Sequence, residues 1–269
     1  MFKLVRPILA ALAIGSAAHG PALAETPLRT LGTADLNRGW EAVGRLDFGE
    51  TGETGFCTAA LITSEIVLTA AHCLYDQTTG DRIVAQDIQF QAGLRFGRAE
   101  AYRGVRRVVV HPEYDFADAN RLGRVGTDLA LLELDQPVRL GHVRPFRTQL
   151  RVEPGQTVQV VSYGKDRAEA PSREEACEIL TRDNEILVLS CEVDFGSSGA
   201  PVFIAHEGET RIVSVISAMA RWHGQDVSLA AVMEGEFDAL IAEFARTPAF
   251  APVGKRVAAT DARDTAAQD

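Results

Sequence analysis

The sequence predicts an all-β protein, a sandwich or barrel closed by one late helix. Two observations carry this. From Trp40 onward, short β-branched runs recur, each bounded by Gly, Pro, Asp or Asn. Only one long segment has helical periodicity, and strands do not alternate with helical stretches.

The 269-residue chain opens "MFKLVRPILAALAIGSAAHGPALAE". Lys3 and Arg6 precede an apolar run, and Ala22-Leu23-Ala24 has the small-x-small form of a processing site. Gly15, Gly20 and Pro21 interrupt the run, so it is too short to span a bilayer. Residues 1–24 therefore read as a signal peptide, and the protein as periplasmic or secreted, with no membrane association after its removal. Residues 25–39 are a polar lead-in or propeptide. The formal net charge is −10, and losing Lys3 and Arg6 takes it to −12. Such a charge repels nucleic acid and anionic lipid. A hydrophobic share of 46% suits a globular chain with a real core.

The strand candidates follow in order. "WEAVGRLDF" leads into the turn "GETGETG". "FCTAALITSEIVLTAAHC" reads as a hairpin turning at Thr-Ser-Glu. "IQFQAGL", "GVRRVVVHPEY", "DLALLELDQPV" and "QTVQVVSYG" come next. "DRAEAPSREEACEIL" is charged and carries Pro171, so its front reads as a surface loop before a strand at Cys177. "EILVLSCEV", "APVFIA", "TRIVSVISAMA" and "VSLAAVM" complete the set. "EFDALIAEFART" places Phe237, Leu240, Ile241 and Phe244 on one helical face. Residues 248–269 have no apolar periodicity and read as a disordered tail.

Four cysteines allow three pairings. They sort into two sequence-local pairs, Cys57 with Cys73 and Cys177 with Cys191. In an exported chain, disulfides are the default. Neither Cys-x-x-Cys nor His-x-x-x-His occurs, so no metal site is expected, and no cofactor.

Three residues could carry chemistry. His72 ends a buried run beside Cys73, which gives a general base the fixed position it needs. Asp128 stands at the front of an apolar strand, either as a turn residue or as a buried partner for a histidine. Ser198 lies in "DFGSSGAPVF", where Gly196 can turn its N–H inward and Gly199 leaves room for a substrate. A serine hydroxyl needs such a base and such donors to act as a nucleophile.

Together, "CTAALI…VLTAAHC", "DLALLEL" and "GSSGAPVF" resemble the three catalytic blocks of the chymotrypsin-like serine proteases, including the fifteen residues from Cys57 to His72. "VVVHPEYD" resembles a linking segment of that family, so His111 is structural. The likeness runs from Trp40 to the helix near Phe244. It implies two six-stranded antiparallel Greek-key barrels, spanning 40–145 and 146–247, with the C-terminal helix. It implies Ser198 as nucleophile, His72 as base then acid, Asp128 as orienting carboxylate, and Gly196 and Ser198 as oxyanion donors. Ser217 matches the strand that pairs with substrate backbone. The implied function is an exported serine endopeptidase acting on a protein or peptide, monomeric by default. A binding or scaffold protein with a silent triad is the alternative.

The pattern also departs from the family. Animal digestive members carry an acid before the nucleophile, which pairs with a new N-terminal amine after zymogen cleavage; this chain has Ser197. The bacterial glutamyl-endopeptidase-like branch also lacks that acid, and the chain is closer to it. That branch often has a pocket histidine, where this chain has Ile216. Met219 falls at the mouth of the specificity pocket. Glu192 reads either as a pocket-floor acid or as an exposed loop glutamate. An α/β-hydrolase esterase wants Gly-x-Ser-x-Gly, and Ala200 replaces the last glycine.

Overall fold

Short, β-branched strands leave backbone edges that need partners, and most of them find one in two rings of six strands. The computed structural model describes residues 26–49, 55–148 and 151–248. The segment read as a signal peptide, most of the "GETGETG" turn and the residues read as a disordered tail beyond Pro248 lie outside the described residues.

The first ring is β2 (Val43–Phe48), β3 (Phe56–Leu61), β4 (Ile66–Thr69), β5 (Ile88–Ala92), β6 (Ala101–Val110) and β7 (Ala130–Leu134). It closes in the order β2-β3-β4-β7-β6-β5, with every pairing antiparallel. The hairpin around Thr-Ser-Glu is β3 and β4, as the alternation predicts.

The second ring is β9 (Thr157–Ser162), β10 (Ser172–Asp183), β11 (Ile186–Leu189), β12 (Pro201–His206), β13 (Glu209–Trp222) and β14 (Gln225–Val232). It runs β9-β10-β11-β14-β13-β12 and returns to β9. Two short strands join its margins: β1 (Arg29–Thr30) on β10, and β8 (Arg147–Thr148) on β13. Pro201 opens β12, where a missing N–H costs least.

One segment differs from its sequence reading, and the lead-in pairs beside it. The front of "SREEACEIL" is not a surface loop: β10 begins at Ser172 and pairs with β9 from there. Its Glu174 is buried, with a carboxylate oxygen accepting the Glu192 N–H at 2.7 Å. The lead-in is part of the second ring's margin. The Leu31 N–H reaches Pro171 O at 2.8 Å, and Leu31 is buried.

Among the described residues, three α-helices punctuate the strands. α1 (Ala34–Asn37) is capped by the Thr33 hydroxyl, and α2 (Arg121–Gly126) by the Asn120 carboxamide. α3 (Glu236–Arg246) buries Phe237 and Leu240 and packs Phe244 against the core, whereas Ile241 is exposed. Among the described residues, no helix is long and apolar enough to cross a membrane.

One apolar core runs across the seam between the rings. Trp40 and Phe146 pack on Phe203 of β12, with ring centroids 5.1 and 4.6 Å away. The interior of the second ring forms a separate cluster around Val160, Leu187, Val202 and Ile216.

Candidate active site

β4 ends at Thr69, and the chain tightens into a single 3₁₀ turn over Ala71–Leu74 that presents His72. Disulfide Cys57–Cys73 ties this turn to β3. A second disulfide, Cys177–Cys191, spans β10 and the segment after β11. The sulfurs next to His72 and Glu174 are thereby committed, and offer no thiolate to a metal.

Asp128 precedes β7 and is buried. Its Oδ1 accepts the His72 backbone N–H at 2.8 Å, and its Oδ2 lies 2.6 Å from His72 Nδ1. The Ser217 hydroxyl, from the second ring, donates to the same Oδ2. Ser217 can do so because β13 bulges there. Ile216 pairs with Ala230 and Ala218 with Leu229, leaving Ser217 outside the ladder. The Asp128 carboxylate thus fixes the imidazole with its Nδ1 proton inward, and Nε2 lies 4.0 Å from Cys73 Sγ. Burial disfavours the imidazolium, but the charge and hydrogen bond of Asp128 outweigh it and hold the His72 pKa above its ordinary value.

The Ser198 segment is two successive turns. The Ser197 N–H bonds Asp194 O, and the Ala200 N–H bonds Ser197 O, each at 2.9 Å. Gly196 (φ +94°) and Gly199 (φ +79°) fill the third turn positions, where left-handed backbone favours glycine. A side chain at either would collide with the first ring as it stands. A Cβ on Gly196 would lie 2.3 Å from the Phe56 ring, and one on Gly199 2.2 Å from Thr58 O. Among the described residues, the N–H groups of Gly196 and Ser198 have no acceptor.

Thr58 of β3 sews this segment to the first ring. Its N–H donates to Ser198 O at 2.8 Å, and its hydroxyl donates to Gly196 O at 2.8 Å. The same hydroxyl accepts the Tyr163 N–H, and Thr58 O accepts the Thr69 hydroxyl at 2.9 Å. Thr69 lies three residues before His72, so Ser198 and His72 hang from one hydrogen-bonded pair of strands.

The remaining candidates lie as follows. Met219 is exposed on β13, opposite Ser228. Ile216 is buried in the second core cluster and pairs its backbone with Gly199 and Ala200. Glu192 is exposed beside Glu174. His111 is buried, with Nε2 3.1 Å from Glu236 Oε2, and burial pushes its pKa down. Sequence reasoning missed Thr58 and Arg167. The Arg167 guanidinium donates to the Ser197 hydroxyl at 2.9 Å. No local motif marks either residue.

The family described as Trypsin matches residues 32–218. The chain is similar to serine protease 7 of Drosophila melanogaster, 31% identical over 40% of this chain and 31% of that protein. It is similar to human kallikrein-14, 36% identical over 40% of this chain and 37% of that protein. The matched stretch therefore spans about a third of the length of these relatives. In fold, the chain is similar to a solved Glu endopeptidase in complex with MPD. The TM-score is 0.64 at 16% identity, covering 83% of this chain and 98% of that one. A match over residues 32–218, carrying the blocks around His72, Asp128 and Ser198, makes this chain a member of the trypsin family.

Proposed function

We propose that the protein is a serine endopeptidase that hydrolyses peptide bonds through an acyl-enzyme. The observation that carries this is Asp128, whose carboxylate bonds both His72 and Ser217 across the seam. His72 Nε2 takes the Ser198 proton as Oγ attacks the scissile carbonyl, and then gives it to the leaving amine. Water, deprotonated by the same imidazole, releases the acyl group. The free N–H groups of Gly196 and Ser198 receive the oxyanion.

A peptide substrate also has a place to lie. From Ser217 onward, the edge of β13 away from β14 has no strand partner among the described residues. An extended peptide can pair along it, with exposed Met219 on the same strand. The two disulfides support an oxidising compartment, hence export to the periplasm or medium.

A fluorophosphonate probe tests the reading. Labelling at Ser198, lost in Ser198→Ala together with peptidase activity, is expected. Folded wild-type protein that stays unlabelled would instead fit a scaffold with a silent triad.

A further inference from the structure

The hydroxyl of Ser197 is buried directly beside the nucleophile and is fully engaged. It accepts the Asp194 N–H at 3.2 Å and an Arg167 Nη2–H at 2.9 Å, and donates to Tyr163 O at 3.0 Å. The guanidinium continues to Ser162, donating from Nη2 to its hydroxyl at 3.0 Å and from Nη1 to its carbonyl. Ser162 ends β9, so one planar fork bolts the turn carrying Gly196 and Ser198 to the rigid end of a strand. Burial pushes the Arg167 pKa below its ordinary value, and the charges of Asp194, Glu192 and Glu174 oppose that shift in part. Meanwhile the segment before Trp40 is committed elsewhere. The Ala176 N–H bonds the Thr26 hydroxyl at 2.8 Å, and Arg29 and Thr30 pair with β10.

Resting on the endopeptidase reading, we propose that Arg167 is a positioning residue that locks the oxyanion turn through Ser197. The cation that organises the site then comes from within the chain, and no cut ahead of Trp40 is needed to create one. In chains with an acid before the nucleophile, a newly made terminal amine does this work. Here a hydroxyl stands at that position, and a hydroxyl requires a donor with fixed geometry more than a point charge.

The test uses the full exported protein, with Arg167→Met and Arg167→Lys variants. Fluorophosphonate labelling rates, kcat and KM are read separately, alongside thermal unfolding. Arg167→Met should lower kcat and the labelling rate about 10²–10³-fold, the scale of losing an oxyanion donor, with KM little changed. Arg167→Lys should fall between, because an ammonium cannot span Ser162 and Ser197 as a fork. Millimolar guanidinium should restore part of the Arg167→Met rate without altering the wild type. Labelled wild-type chains should still carry Thr26–Arg38.

Arg167→Met labelled at the wild-type rate would overturn the proposal while leaving the endopeptidase reading intact. So would labelling confined to chains beginning after Arg38. If Arg167→Met does not fold, a wild-type rate in folded Arg167→Lys overturns it equally. Unlabelled wild type would sink the endopeptidase reading, and the latch with it.

Discussion

Asp128 accepts three donors on two oxygens while buried, so its charge is costly and fully used. Its value lies in what it does to His72. In the proposed mechanism only the neutral imidazole can take the Ser198 proton, so kcat/KM should rise with pH through the His72 pKa. Asp128 holds that pKa above the ordinary value of about 6.5, so the limb should sit above that pH. Replacing Asp128→Asn removes the attraction and leaves the burial. The limb should then move to lower pH, and kcat/KM should fall about 10⁴-fold from loss of the correct tautomer. A pH–rate profile of both proteins checks this; an unmoved limb would show that Asp128 does not set the imidazole's charge. Stability has its own sign. A raised folded pKa contributes most below the unfolded value and is lost as pH rises through the folded one. The wild-type advantage over Asp128→Asn from this source should therefore shrink toward alkaline pH.

At the scale of elements, the turn from Asp194 to Ala200 depends on having no side chain at Gly199. Its φ of +79° already disfavours any other residue, and an added Cβ would meet Thr69 Oγ1 at 2.1 Å and Thr58 O at 2.2 Å. The carbonyl belongs to a paired strand and cannot swing away. Gly199→Ala should thus cost on the order of 2–5 kcal/mol, strain and overpacking combined. It should also abolish labelling at Ser198; denaturant unfolding measures the first and the probe the second. How legible an element was depended on where its partner lay. The β3–β4 hairpin could be read because its pairing, apolar runs and turn fall within eighteen residues. α3 could be read because its period is its own, although which of its apolar residues faces out (Ile241) was settled only by packing. Ser172–Ala176 could not, since charge argued for a loop while the strand is held by β9 on one side and the lead-in on the other. Ser217's aim and Arg167's role were equally hidden. One needs a bulge and the other a guanidinium reaching thirty residues along the chain.

Across the whole molecule, the site sits where two rings meet, so their relative placement is itself part of the chemistry. Thr58 stitches the front of that seam, and α3 straps the back. The helix follows the last strand of the second ring but ends on β6 of the first. There Arg107 lies 3.7 Å over the Phe244 ring, and its Nη1 donates to Phe244 O at 3.2 Å and Thr247 O at 2.5 Å. A helix C-terminus leaves its last carbonyls without partners, and Arg107 satisfies two while stacking on a ring. The same guanidinium pairs with Glu133 of β7 at 2.7 Å. Arg107→Ala should therefore cost about 2–4 kcal/mol, more than a surface ion pair, because it frees carbonyls and a ring contact together. Glu133 keeps its pair with Arg106, so the first ring itself should stay closed. The sharper expectation concerns cooperativity. If α3 couples the rings, amide exchange should quicken in both α3 and β6, with unfolding still a single transition. Faster exchange confined to α3, with a loss under about 0.5 kcal/mol, would reduce the helix to an appendage of the second ring.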